Sequence, residues 1–164
     1  MKPDATAAAD FLLEAFLPYE LSVAANRISR LFARRYSAEF GIAIAEWRVL
    51  AVVGRFGTLS PGGVAERTEM DKVKVSRAAA SLVEAGLLEQ SADPQDGRAR
   101  RLRLTARGTG VHQAIIPRAR ALEAQLSAGM DPGDWATLRR LLRQVSAHAQ
   151  ALDDPEPGRA PAVP

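Results

Sequence analysis

The chain has 164 residues, enough for one ordinary domain that buries well over half of the surface its unfolded form exposes. With 47% hydrophobic and 25% charged residues, a mean hydropathy of -0.11 and no apolar run near the roughly 18 residues of a membrane span, a transmembrane protein is excluded. The net charge is +3, the pI is 9.8 and nineteen of the 22 basic residues are arginine, whose planar fork suits phosphates, while the absence of cysteine removes disulfides, thiol nucleophiles and thiolate metal sites.

Residues 1–10 carry Asp4 and Asp10 and no apolar run of a secretory signal, so they are expected to be disordered and the chain cytoplasmic. Leu21, Ala24, Ala25, Ile28, Leu31 and Phe32 recur at spacings of three and four, which predicts an amphipathic helix over 18–39 ending near Gly41. The stretch from Ala45 to Phe56 is apolar on nearly all sides and suits a buried central helix. Ser60 and Pro61 supply an N-cap and an N1 proline for a short helix through Thr68, although Gly62 and Gly63 each cost it about 1 kcal/mol.

Asp71 caps the next helix, 72–85, with Val75, Ala78, Ala79 and Leu82 on one face and Gly86 as its stop. LLEQS and RLRL read as two short strands joined by ADPQDGRA, whose Asp-Pro and Asp-Gly pairs mark turns. Thr105 caps a long helix over 105–128 containing Pro117, and Asp131 with Pro132 opens a last helix striped by Leu138, Leu141, Leu142, Val145 and Leu152. The first helix and the last two leave more apolar surface than the rest of the chain covers, and a second copy is the simplest cover. The expected architecture is mainly α: a winged helix-turn-helix over about 43–107, dimerisation helices over about 11–40 and 108–152, and a disordered tail over 153–164.

The helix at 72–85 carries the chemistry. Opposite its apolar face stand Val73, Ser76, Arg77 and Ala80, with Lys72 and Lys74 on the shoulders. A helix entering the major groove needs short side chains for close approach, donors for guanine O6 and N7, and an apolar group for a thymine methyl. Arg77, Ser76 and Val73 supply these. The hairpin tip is the second contact element, because Arg98 follows the Asp-Gly turn and positions 100, 101, 103 and 107 are also arginine. An arginine at a loop tip reaches a narrow minor groove, and a carboxylate such as Asp96 can orient its guanidinium. The DNA-facing set is Ser60, Lys72, Val73, Lys74, Ser76, Arg77, Asp96, Arg98 and Arg100.

AEWRVL, SPGGVAERTEMDKVKVSRAAASLVEAGLLEQ and DPQDGRARRLRLTARG resemble the MarR family of transcriptional regulators over about 18–150, most specifically in the Trp47 helix, VSR, GLL, the DxxDGR tip and the LTxxG helix start. The resemblance implies a homodimer on a pseudo-palindromic double-stranded operator, with one recognition helix and one wing per half-site. It also implies that Arg98 is the minor-groove residue with Asp96 as its partner, and that Lys72, Lys74, Ser76 and Arg77 touch bases and phosphates. Gly62-Gly63 and the missing cysteine depart from the pattern, the latter arguing against peroxide sensing.

Members of this family usually release DNA when a small, often aromatic, molecule binds. Tyr19, Asn26, Arg27, Trp47 and His112 form an aromatic and polar set suited to a phenolic acid or its thioester. The expected function is a ligand-responsive repressor without a cofactor. A ligand-responsive activator and a constitutive architectural DNA-binding protein are the alternatives. An enzyme is not expected, because no nucleophile stands with a base and the only histidines, His112 and His148, lie 36 positions apart without metal-binding spacing.

Overall fold

The computed structural model describes residues 11–96 and 99–153. The disorder expected of 1–10 and 154–164, and the place of Arg98, lie outside those residues. Asp153, expected to begin the tail, instead closes the last helix. A single 3-10 turn, Leu13–Ala15, precedes α1 (Leu17–Phe40), α2 (Ile44–Phe56), α3 (Pro61–Thr68) and α4 (Lys72–Glu84). The hairpin β1 (Leu88–Ala92) and β2 (Arg100–Leu104) follows, then α5 (Ala106–Ser127), which runs through Pro117, and α6 (Pro132–Asp153). The fold is mainly α with one two-stranded antiparallel sheet. Two compact units divide between Arg120 and Ala121.

In the first unit α2 is the hub: Val49, Leu50 and Val53 are at most 1% exposed. Tyr36 of α1, Val64 of α3, Val75 and Leu82 of α4, Leu88 and Leu102 of the hairpin and Ile115 of α5 close around them. Each such aliphatic side chain contributes about 1.5–3 kcal/mol by leaving water. This packing explains why α3 forms despite its two glycines, since Val64 and Ala65 are buried and Ser60 Oγ accepts the Gly63 N–H at 3.0 Å.

The caps read from the sequence are in place. Asp71 Oδ1 accepts from the N–H of Val73 at 2.8 Å and of Lys74 at 3.2 Å. At the other end of α4, Gly86 N–H donates to Val83 O and Leu87 N–H to Leu82 O, the paired closure of a left-handed C′ glycine (φ 68°), with Leu82 and Leu87 buried together. Thr105 Oγ1 accepts from Gly108 N–H at 3.0 Å and donates to Gly86 O at 2.7 Å, tying the start of α5 to the end of α4.

Two features have no sequence signal. The turn between α3 and α4 passes through Glu69 at φ 51°, the one described residue other than glycine in the left-handed region, and Met70 is buried beside it. Leu59 forms a one-residue antiparallel bridge with Leu102, through N–H to O bonds of 3.1 and 2.8 Å. That bridge fastens the segment before α3, including Ser60, to the hairpin.

In the second unit Asp131 Oδ1 accepts from Gly133 N–H at 2.7 Å at the start of α6, and Arg139 pairs with Glu123 at 3.0 Å. Leu138, Leu141, Leu142 and Val145 of α6 are 39–45% exposed. No helix among the described residues is long and apolar enough to cross a membrane.

Candidate nucleic-acid interface

Helix α4 is divided sharply by burial. Val75, Ala78, Ala79 and Leu82 lie in the core, whereas Lys72, Val73, Lys74, Ser76, Arg77 and Ala80 are exposed, Val73 at 57%. Two of the nearby carboxylates are engaged elsewhere. Asp71 caps α4, and Glu46 accepts from Ala43 N–H at 2.7 Å and from Ser81 Oγ at 2.6 Å. Among the described residues no ion pair neutralises Lys72, Lys74 or Arg77. The exposed face is therefore cationic and available to an anionic partner. The Glu46–Ser81 bond, absent from the sequence expectations, fastens the far end of α4 to the start of α2.

The hairpin pairs Leu88 with Leu104, Gln90 with Leu102 and Ala92 with Arg100. Its arginines separate into two groups. Arg101 Nε donates to Asp93 Oδ2 at 2.7 Å, Arg103 pairs with Glu89, and Arg107 Nη1 donates to Ala85 O at 2.7 Å. These three hold the structure together. Arg100 is exposed with no ion pair among the described residues.

The tip closes through Asp93 N–H to Ala99 O at 2.9 Å and Ala99 N–H to Asp96 O at 2.8 Å. Asp93 Oδ1 accepts from Gln95 N–H at 2.8 Å. That bond first, and then Arg101, holds the Asp93 carboxyl below the usual carboxylate range. Asp93 and Arg101 thus brace the tip, a role the sequence could show only once the strand register was known. Asp96 is exposed, and Ser60 sits at the α3 N-cap with its hydroxyl already accepting a bond.

Of the five residues expected at an effector site, Trp47 and His112 are in contact, stacked at 6.3 Å between ring centroids, and Trp47 also contacts Tyr36 at 5.1 Å. Tyr19, Asn26 and Arg27 are exposed on α1 and join none of the ring contacts among the described residues. His112 crosses α2 at Gly54, where a Cβ would lie 2.6 Å from the imidazole, so only glycine allows that approach. Burial lowers the His112 pKa, favouring the neutral ring. Burial also pushes the Tyr36 phenol up to about 12, and its hydroxyl has no partner among the described residues.

The sequence profile described as the MarR family matches residues 40–99, which span α2 to the wing. Among solved structures, the chain is similar to a MarR family transcriptional regulator from Silicibacter pomeroyi, at 26% identity over 84% of this chain and 91% of that one, with a TM-score of 0.72. It shares its fold with Bordetella bronchiseptica BpsR, described with the regulation of its DNA binding by 6-hydroxynicotinic acid, at 24% identity, 83% and 96% coverage and a TM-score of 0.75. PcaV of Streptomyces coelicolor, solved with its natural ligand, matches at 24% identity, 85% and 97% coverage and a TM-score of 0.70. No curated protein sequence matches the chain. The family and its structural neighbours are transcriptional regulators, not enzymes.

Proposed function

We propose that this chain, whose residues 40–99 match the MarR family profile, is a homodimeric, ligand-responsive repressor acting in the cytoplasm on a pseudo-palindromic operator. The observation that carries this reading is the exposed face of α4, where Val73, Ser76 and Arg77 stand between unpaired lysines while the opposite face is fully buried. Arg77 donates to a guanine edge, Val73 meets a thymine methyl, and Lys72 and Lys74 hold phosphates. Arg98, with Asp96 and Arg100, serves the adjacent minor groove, and Ser60 contacts the backbone at the start of α3.

Repression fits better than activation, since a single winged region offers no separate surface for recruiting polymerase. The two recognition helices must sit about one helical turn apart, near 34 Å, to fit successive major grooves. An effector that favours another spacing releases the DNA, and only to the extent that it prefers that arrangement. The control of BpsR by a small heteroaromatic acid supports an aromatic acid as effector here, with Trp47 and His112 among the residues that sense it.

Mobility-shift titration with the DNA upstream of its own gene tests the reading. A preference over random DNA of roughly a thousandfold or more is expected at one salt concentration. Equal affinity for both DNAs would instead identify a constitutive architectural protein.

A further inference from the structure

Helix α4 rests on the core through Val75, Ala78, Ala79 and Leu82, two of them alanines. Burial of such short side chains is non-directional, so it holds the helix down while doing little to fix its rotation or its slide along α2. The ends of α4 are closed by Asp71 and by Gly86. Between these ends, one side-chain hydrogen bond among the described residues joins α4 to another helix: Ser81 Oγ donates to Glu46 Oε1 at 2.6 Å. It is short and charge-assisted, the stronger kind.

Glu46 is already oriented for this bond. It is half-buried at the start of α2, and its other oxygen, Oε2, accepts the Ala43 N–H at 2.7 Å. Ser81 follows Arg77 by four residues, which places it one turn further along nearly the same side of α4. Glu46, Lys74 and Arg77 line one cleft of about 490 Å³ between the start of α2 and α4. With both oxygens occupied, Glu46 makes no ion pair with either cation among the described residues.

We propose that Glu46 and Ser81 form a positioning pair for sequence readout, which sets the seat of α4 on α2 and keeps the Glu46 carboxylate off Arg77. The proposal rests on the reading of α4 as the helix that enters the major groove. Neither residue has to touch the duplex. A guanidinium must be held within about 0.5 Å and 10–20° of the right geometry to make both bonds to guanine, whereas a phosphate accepts a cation from many directions. Loosening α4 therefore costs base contacts more than backbone contacts. Releasing Glu46 Oε1 adds to the loss, because the freed carboxylate shares a cleft with Arg77 and competes with guanine for its guanidinium.

Fluorescence anisotropy with two labelled duplexes, the DNA upstream of its own gene and a random sequence, tests the pair at one salt concentration. Ser81→Ala suits the test, because position 81 is exposed and alanine is the best helix former, and circular dichroism checks that the fold is kept. Its affinity for the upstream duplex is expected to fall about tenfold, within the worth of one base contact, while affinity for random DNA changes by less than about twofold. Ser81→Thr, which returns the hydroxyl, recovers the preference. Glu46→Ala gives the same selective loss, and the two alanine changes together give no more than one of them. In an Arg77→Ala background Ser81→Ala has no further effect, since positioning that acts through Arg77 has nothing left to act on.

Equal losses on both duplexes in a folded Ser81→Ala protein, or a loss that persists in full without Arg77, overturn the proposal. A wild-type preference that Ser81→Ala leaves unchanged overturns the pair and leaves the functional reading standing. A wild-type protein with no preference for the upstream duplex overturns that reading and the pair with it.

Discussion

Replacing Gly108 by alanine is expected to destabilise the winged region severely. A Cβ built on Gly108 lies 1.9 Å from the carbonyl oxygen of Leu87 and 2.8 Å from its carbonyl carbon. Both are backbone atoms in the junction between α4 and β1, so no side-chain rotation relieves the overlap. The same carbonyl accepts the Thr105 N–H at 3.1 Å, and the neighbouring Gly86 carbonyl accepts the Thr105 hydroxyl at 2.7 Å. Moving α5 away to admit a methyl group breaks these bonds and lifts Ile115, which is fully buried, out of the core.

A loss of about 3–5 kcal/mol is expected, a large part of the roughly 5–15 kcal/mol that holds a domain folded. Gly110→Ala is the matched control, because nothing lies within 4 Å of its Cβ position on the same helix. That change should be neutral or stabilise by up to about 1 kcal/mol. Urea unfolding followed by circular dichroism measures both. Equal midpoints for the two variants would contradict the close approach of α5 to Leu87.

The second large effect is expected at Leu142. Leu138, Leu141, Leu142 and Val145 form an exposed stripe along α6, and Phe11, Leu12, Phe16 and Leu17 are exposed near the start of the chain. Isolated apolar residues on a surface are ordinary, but a contiguous stripe of this kind marks an interface. If the proposed homodimer is built through this stripe, Leu142→Asp places a charge in its interface and should yield monomers. Binding to the operator should then fall by about 10²- to 10⁴-fold, because the second half-site is no longer engaged by a tethered partner. Light scattering after size-exclusion chromatography gives the mass, and mobility shift gives the affinity. Gln144→Asp, which adds a charge to α6 outside the stripe, should leave both unchanged.

The fold was legible where the chain itself carries the signal. Caps at Ser60, Asp71, Thr105 and Asp131 depend on a side chain meeting the backbone two or three residues away, so they appear directly in sequence. The burial split of α4 follows from a 100° rotation per residue and needed no tertiary information. Features made by distant partners were not legible. The Leu59–Leu102 bridge is one residue long and leaves no alternation, and Glu69 adopts a left-handed turn without the glycine that usually signals one.

The arginine run shows the same limit at the candidate site. In sequence five arginines look equivalent, but the hairpin register brings Asp93 to Arg101 and Glu89 to Arg103, and only pairing separates bracing cations from available ones. The effector set was the least legible part. Trp47 and His112 meet through a helix crossing made possible by Gly54, a contact between residues 65 positions apart that no local pattern encodes.

The most direct test of the account is the mass of the complex with a single operator duplex, measured by native mass spectrometry at a salt concentration where random DNA is not bound. Two chains on one duplex, with no one-chain species as protein is added, is the predicted result. A complex saturating at one chain per duplex would contradict it.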